Sequence, residues 1–181
     1  VFDIFKIGIG PSSSHTMGPM LAAYTFTHML AEKKLFKKTK RIVCELYGSL
    51  ALTGVGHCTD KAVLLGLEGE RPDSVNPLTM ETRIERIKTS GILRLQDAQE
   101  IPFAVKEDLL WYRRQTLPHH PNALRFSAYA NTQDETPLLA QIFYSVGGGR
   151  IFTEEEMNNP SAQTIKKESP LPFRTAEELL K

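Results

Sequence analysis

The sequence predicts an α+β fold in which a mixed, mainly antiparallel sheet carries helices on one face. Two observations carry the prediction. Stretches with helical spacing gather in the first half of the chain and stretches with strand alternation in the second, and no regular strand–helix–strand repeat of the doubly wound kind runs through it. The chain also has the bulk for one domain with a real core, at 181 residues, 41% hydrophobic and 24% charged.

The elements follow in order. Residues 8–19, GIGPSSSHTMGP, set three serines, a histidine and a threonine between glycine–proline pairs. Beyond them Met20, Leu21, Tyr24 and His28, with Leu30 and Ala31, recur at helical spacing, and Lys33 and Lys34 suit the negative end of the helix dipole. Pro19 lacks an N–H and fits only a first turn, so this helix is expected to begin near Thr16 or Met17. In RIVCELYGSL, Ile42, Cys44 and Leu46 alternate with Val43, Glu45 and Tyr47, the pattern of a half-buried strand ending at Gly48. A glycine-rich turn, a cap at Thr59 or Asp60 and a short helix from Ala62 to Leu67, closed by Gly66 or Gly69, come next.

After a loop from Pro72 to Pro77, Thr79 is read as the cap of a helix with Ile84 and Ile87 on one face and Gly91 as its stop. Its charged side, Arg83, Glu85, Arg86 and Lys88, reads as solvated. ILRLQ and IPFAV are short strand candidates. The clearest hairpin pairs Leu124, Phe126 and Ala128 with a return strand alternating at Ala140, Ile142, Tyr144 and Val146, around a turn from Asn131 to Glu135. Both strands are expected to be central. The stretch 158–173 carries three prolines and few apolar residues and reads as a linker, so the domain is placed at 1–157 and the remainder, 158–181, as linker and the start of a following domain. There, Thr175 and Glu178 have capping-box spacing ahead of a helix too short to stand alone, which leads us to expect a longer protein.

Charge and composition exclude several functions. Lysine and arginine number 22 against 21 aspartate and glutamate, a formal charge of +1 without long single-sign blocks, which argues against a nucleic-acid partner. No run approaches the roughly 20 apolar residues of a membrane span, and VFDIFKIGIG lacks the order of a signal peptide, so a soluble, cytoplasmic protein with no membrane partner is expected. Cys44 and Cys58 could form one bridge at most and cannot supply the four thiolates of an ordinary iron–sulfur site. They read as buried or free thiols.

Chemistry concentrates in two loops. A helix cap needs one side chain, whereas Ser12, Ser13, Ser14, His15 and Thr16 supply five polar groups at a helix start. Either the run is an over-furnished cap, or exposed N–H groups and hydroxyls hold a carboxylate or phosphate there. No Gly-Lys-Ser/Thr ending marks a P-loop, and no Gly-x-Ser-x-Gly marks a nucleophile elbow. YGSLALTGVGHCTD repeats the theme, with Ser49, Thr53, His57, Thr59 and Asp60 among three glycines before a helix. His57 gains interest if it faces the first loop. Gly147, Gly148 and Gly149 mark a bulge or left-handed turn, or a place where backbone approaches a ligand or a subunit. His119 and His120 lack the spaced partners of a metal site.

FDIFKIGIGPSSSHTMGPM, YGSLALTGVGHCTDKAVLLGL, YSVGGGRI and PFRTAEELL together resemble the N-terminal β domain of bacterial iron–sulfur-dependent L-serine dehydratases, essentially end to end. The resemblance implies conversion of L-serine to pyruvate and ammonia without pyridoxal phosphate. It implies a 4Fe–4S cluster in the full-length enzyme, its ligands on the enzyme's own α domain and not in this chain, with one iron polarising the substrate hydroxyl. Given that reaction, the two polar, glycine-bordered helix starts make His57, with His15 second, the candidate to move the α-proton, and Ser12, Ser13, Ser14, His15, Thr16, Ser49, Thr59, Asp60 and Gly148 the candidates to hold L-serine or a related small anion. Cys58 falls where other members carry histidine, so no essential role is expected of it. The implied fold is similar to the allosteric substrate-binding domain of some D-3-phosphoglycerate dehydrogenases. That likeness keeps an alternative open, an anion- or serine-binding regulatory domain that also builds a homodimer.

Overall fold

In the computed structural model, which describes residues 7–159 and 175–180, the chain turns helical earlier than Thr16. Ser13–Met17 form a wide π-type turn: Met17 N reaches back five residues to Ser12 O at 3.1 Å, and Gly18 N to Ser13 O. It runs straight into α1 (Gly18–Glu32), with Pro19 in the first turn where its missing N–H is tolerated. The buried stripe of α1 is Met20, Ala23, Phe26, Thr27 and Leu30, rotated from the expected face; Tyr24 and His28 stack half-buried beside it, and Ala31 is exposed.

Strand β1 (Arg41–Tyr47) is buried on both faces, since Val43 and Tyr47 are covered as well as Ile42, Cys44 and Leu46. Where a plain turn was expected, the chain makes a short helix, α2 (Gly48–Thr53), and a 3₁₀ turn (Gly54–His57). Cys58 then adopts a left-handed conformation (φ 57°) and α3 (Thr59–Leu67) begins without a side-chain cap, so neither Thr59 nor Asp60 caps it. α1 and α3 pack backbone to backbone: a Cβ on Gly66 would lie 2.3 Å from Met20 O and 2.8 Å from Ala23 Cβ.

Helix α4 (Pro77–Ser90) is capped by Asn76, whose Oδ1 accepts from Leu78 N at 3.0 Å, and not by Thr79. Gly91 closes it at φ 64°. The charged side of α4 is not simply solvated. Glu68, fully buried, accepts from Arg83 Nε at 3.0 Å, from Arg86 and from Arg94 N at 3.0 Å, while Arg83 also pairs with Glu70 and Asp97. A buried carboxylate requires such company, and the network ties the end of α3 to α4 and to the ribbon of β2 (Ile92–Leu95) and β3 (Gln99–Pro102).

IPFAV is a strand only in its first two residues. Beyond it, Asp108 takes Ala104 N on Oδ2 (2.8 Å) and Arg41 Nε on Oδ1 (2.9 Å), folding α5 (Val105–Asp108). Strand β4 (Leu109–Tyr112), which the sequence pattern does not reveal, then pairs parallel with β1. β5 (Asn122–Tyr129), β6 (Leu139–Gly147) and β7 (Arg150–Thr153) complete a mixed sheet in the order β4-β1-β5-β6-β7, antiparallel from β1 onward. Both hairpin strands are interior, as expected. Their register pairs Leu124 with Phe143, so Phe143 and not Tyr144 faces the helices. That face (Ile42, Cys44, Leu46, Leu124, Phe126, Phe143) meets α1 and α3 in the main core. Tyr47, Ala123 and Tyr144 form a second cluster on the reverse, against Ile142, Val146 and Met157 of α6 (Glu154–Asn158).

The expected linker falls mostly on 160–174, outside the described residues. α7 (Ala176–Leu179) is capped as predicted, with Thr175 Oγ1 accepting from Glu178 N at 3.2 Å. Cys44 is buried and Cys58 half-exposed, both as free thiols. Among the described residues no helix is long and apolar enough to cross a membrane.

Candidate active site

The two polar loops meet. Ser12 starts the first: its Oγ accepts from His15 N at 3.1 Å and its N–H donates to Thr16 Oγ1 at 3.2 Å, which closes the turn on itself. Pro19 then leaves an opening. Having no N–H, it cannot serve the carbonyls four and five residues back, His15 O and Ser14 O. Hydroxyls from other elements take their place: Thr59 Oγ1 donates to His15 O at 2.5 Å and Ser145 Oγ to Ser14 O at 2.8 Å. In the other direction Thr16 Oγ1 donates to His57 O at 2.7 Å.

These bonds set the two imidazoles 5.0 Å apart, centroid to centroid, at 45°. Both ring nitrogens of His15 are engaged, Nδ1 with Ser14 Oγ (2.9 Å) and Nε2 with Ser49 Oγ (3.0 Å). Burial, and then the neighbouring His57, lower the His15 pKa, with Ser49 opposing them; His15 is therefore held neutral. His57 Nδ1 lies 3.0 Å from Thr53 O. A carbonyl can only accept, so Nδ1 carries a proton, and in the neutral ring Nε2 is the acceptor. Among the described residues no hydrogen bond falls on that Nε2.

The other candidates fall into place around this pair. Ser13 is exposed, and its Oγ accepts from Gly148 N at 3.3 Å. Gly147, Gly148 and Gly149 all have positive φ (92°, 59° and 67°), and a Cβ on either of the first two would meet nothing within 4 Å. The triple glycine thus supplies the left-handed turn that presses the β6–β7 hairpin against the serine run. Thr16 and Thr59, expected to contact a ligand, are both buried, with their hydroxyl protons given to main-chain carbonyls. Asp60 points elsewhere, its carboxylate 4.0 Å from Lys88 Nζ. His119 sits edge-on to Tyr144 and His120 Nδ1 accepts from Asn122 N, both apart from the site.

Sequence reasoning missed Ser145, Asn122 and Trp111. Asn122 Nδ2 donates to Ser145 O at 3.2 Å, and Trp111 packs so close that a Cβ on Gly54 would lie 2.9 Å from its ring. The one available signal was a serine in the apolar return strand, two residues before the glycine run.

A family model described as the serine dehydratase beta chain matches residues 1–156. The chain belongs to the serine dehydratase beta chain family. Over 181 residues it is 44% identical to a protein named L-serine dehydratase from Streptomyces coelicolor, covering all of this chain and 39% of that protein. L-serine dehydratase 2 of Escherichia coli is 41% identical over 182 residues, again all of this chain and 39% of the relative. The chain thus spans about two fifths of the length of the curated relatives it matches.

The residues of this beta chain do not fit an iron–sulfur cluster. Cys44 is sealed in the core with its thiol pKa pushed well up by burial, and among the described residues no three His, Cys, Asp or Glu side chains gather as a metal site.

Proposed function

We propose that this chain is the β domain of a cytoplasmic L-serine dehydratase that converts L-serine to pyruvate and ammonia, and that it supplies the base. The observation that carries the reading is the open Nε2 of His57, aligned by Thr53 and facing the neutral ring of His15. In this reading Nε2 takes the α-proton of L-serine. The β-hydroxyl departs as water, taking up a proton from an acid group in the remainder of the enzyme. The aminoacrylate so formed tautomerises to an imine, and water releases ammonia and pyruvate. The exposed Ser13 hydroxyl, with Ser12, Ser14 and Ser49 behind it, would orient the substrate carboxylate.

The histidine pair is half-exposed at the surface, and two large apolar side chains, Leu52 and Val55, stand 63% exposed on the same short segment as His57. That supports a site completed by the remainder of the enzyme, its α domain. A second reading, a regulatory and dimer-forming domain, is favoured by one feature. A groove of about 400 Å³ beside the Gly148–Gly149 turn is lined by Arg150, by Arg71 with its ion-pair partner Asp73, and by the apolar Met17, Leu21 and Phe152, which offers a second place for a small zwitterion such as an amino acid.

One variant tests both. His57→Gln in the full-length enzyme, assayed anaerobically, should lower kcat by about 10²–10⁴-fold. Near-normal turnover would remove His57 as the base. Equilibrium binding of L-serine to the same variant should show one equivalent per chain if only the catalytic site binds, and two if the groove is also occupied.

A further inference from the structure

We infer that Thr16 and Thr59 are positioning residues, a reciprocal latch that sets the distance between His15 and His57. The inference rests on the reading of His57 as base and deepens it. Each hydroxyl crosses to the main-chain carbonyl of the other loop's histidine: Thr16 to His57 O at 2.7 Å, Thr59 to His15 O at 2.5 Å. Both side chains are buried, at 1% and 0% exposure, so neither hydroxyl is presented to a ligand.

The chain leaves both carbonyls in need of such partners. Pro19 removes the N–H that an α-helix would bring to His15 O. The left-handed Cys58 interrupts the backbone just after His57, and α3 starts its own ladder from Cys58 O, which accepts from Ala62 N at 2.9 Å. Two carbonyls released from helix hydrogen bonding are thus each met by a β-branched hydroxyl with a restricted χ1. Gly54 keeps the space clear, since a Cβ there would lie 2.9 Å from Thr59 Oγ1. The latch acts on backbone at both histidines, so releasing either bond moves the whole ring and not one of its hydrogen bonds.

The test is kinetic, in the full-length enzyme. Thr16→Val and Thr59→Val keep shape and lose the hydroxyl. Each should lower kcat by about 10–100-fold, because roughly 1 Å of misplacement costs that much, while KM for L-serine stays within about twofold. Thr16→Ser and Thr59→Ser should restore kcat to near wild type. The double valine variant should lose little more than the worse single one, because the two bonds hold one distance. Should a valine variant fail to fold, Thr59→Ala, which leaves room for a water at His15 O, is expected to show the same kcat loss. A rise in KM at unchanged kcat would overturn the latch in favour of direct substrate contact. Serine variants as impaired as the valine ones would overturn it in favour of the methyl group. A kcat unaltered by valine or alanine would remove it altogether. If instead His57→Gln turns over normally, the base assignment has failed, and the latch with it only as far as catalysis is concerned.

Discussion

His15 and His57 stand 5.0 Å apart on comparable polar loops, yet they are held in opposite ways. The π-type turn of His15 is gripped on every side: Ser12 and Thr16 within it, Thr59 and Ser49 from the second loop, Ser145 and Gly148 from the β6–β7 hairpin. The 3₁₀ turn of His57 is held by its main chain and by one ring nitrogen, and Thr53, Val55 and Gly56 just before the histidine are exposed. The difference is what the proposed function rests on: a ring with both nitrogens engaged is fixed in place, and a ring with one nitrogen aligned and the other open is, in that reading, the one that accepts the proton.

The strongest way to break the contrast is to loosen the gripped turn. A Cβ on Gly18 would fall 1.9 Å from Ser145 Oγ and 2.8 Å from Ser145 Cβ, so Gly18→Ala must displace the hydroxyl that holds Ser14 O. We expect a loss of about 1–3 kcal/mol, as overpacking commonly costs, visible as a lower melting temperature, together with lower turnover in the full-length enzyme. A stable Gly18→Ala with wild-type turnover would show that the grip of Ser145 does not reach the site.

Acid sharpens the same contrast more gently. Folded His15 binds its proton less readily than an ordinary imidazole, which titrates near 6.5, so below that pH the unfolded chain holds the more protons. The stabilisation from neutral His15 is complete above about pH 6.5 and is lost as the pH falls toward the depressed folded value. Melting temperature should therefore drop between about pH 7.5 and 5.5, and His15→Gln should flatten the slope. His120, whose pKa burial also lowers, contributes in the same direction, so the difference between wild type and variant isolates His15. Identical slopes would mean that His15 binds its proton equally well in the folded and unfolded chains, and the depressed value would be refuted.

Much of this was readable from the sequence, and the failures have specific physical causes. The serine run, the strand at 41–47, the stop at Gly91 and the hairpin are local patterns, and they stand where periodicity put them. Alternation gives a period but not a phase, so the β6 residues that alternate best, from Ala140 to Val146, proved to be the face away from the helices. Arg83 and Arg86 read as solvated because their partner Glu68 lies 15 and 18 residues earlier, on a helix whose packing no local window shows. In the site, residue types and the meeting of the two loops could be anticipated. The roles of Thr16 and Thr59 could not, since a threonine beside a histidine looks the same whether its hydroxyl faces a ligand or a carbonyl.

The smallest expected effect comes from Ser49, which touches the gripped histidine from the opposite loop. Its Oγ is the partner of His15 Nε2 at 3.0 Å, while Ser14 keeps Nδ1 and Thr59 keeps the carbonyl. Ser49→Ala therefore removes one bond from a ring that retains its other restraints. One neutral hydrogen bond is worth about 0.5–1.5 kcal/mol, and the site is half-exposed, so water can replace the missing hydroxyl and the loss should lie at the lower end. Turnover should fall less than about tenfold, because the latch, and not Ser49, sets the distance to His57. A loss as deep as that of His57→Gln would mean that the Ser49–His15 contact carries a proton during the reaction, and the division between a structural and a reactive histidine would have to be redrawn.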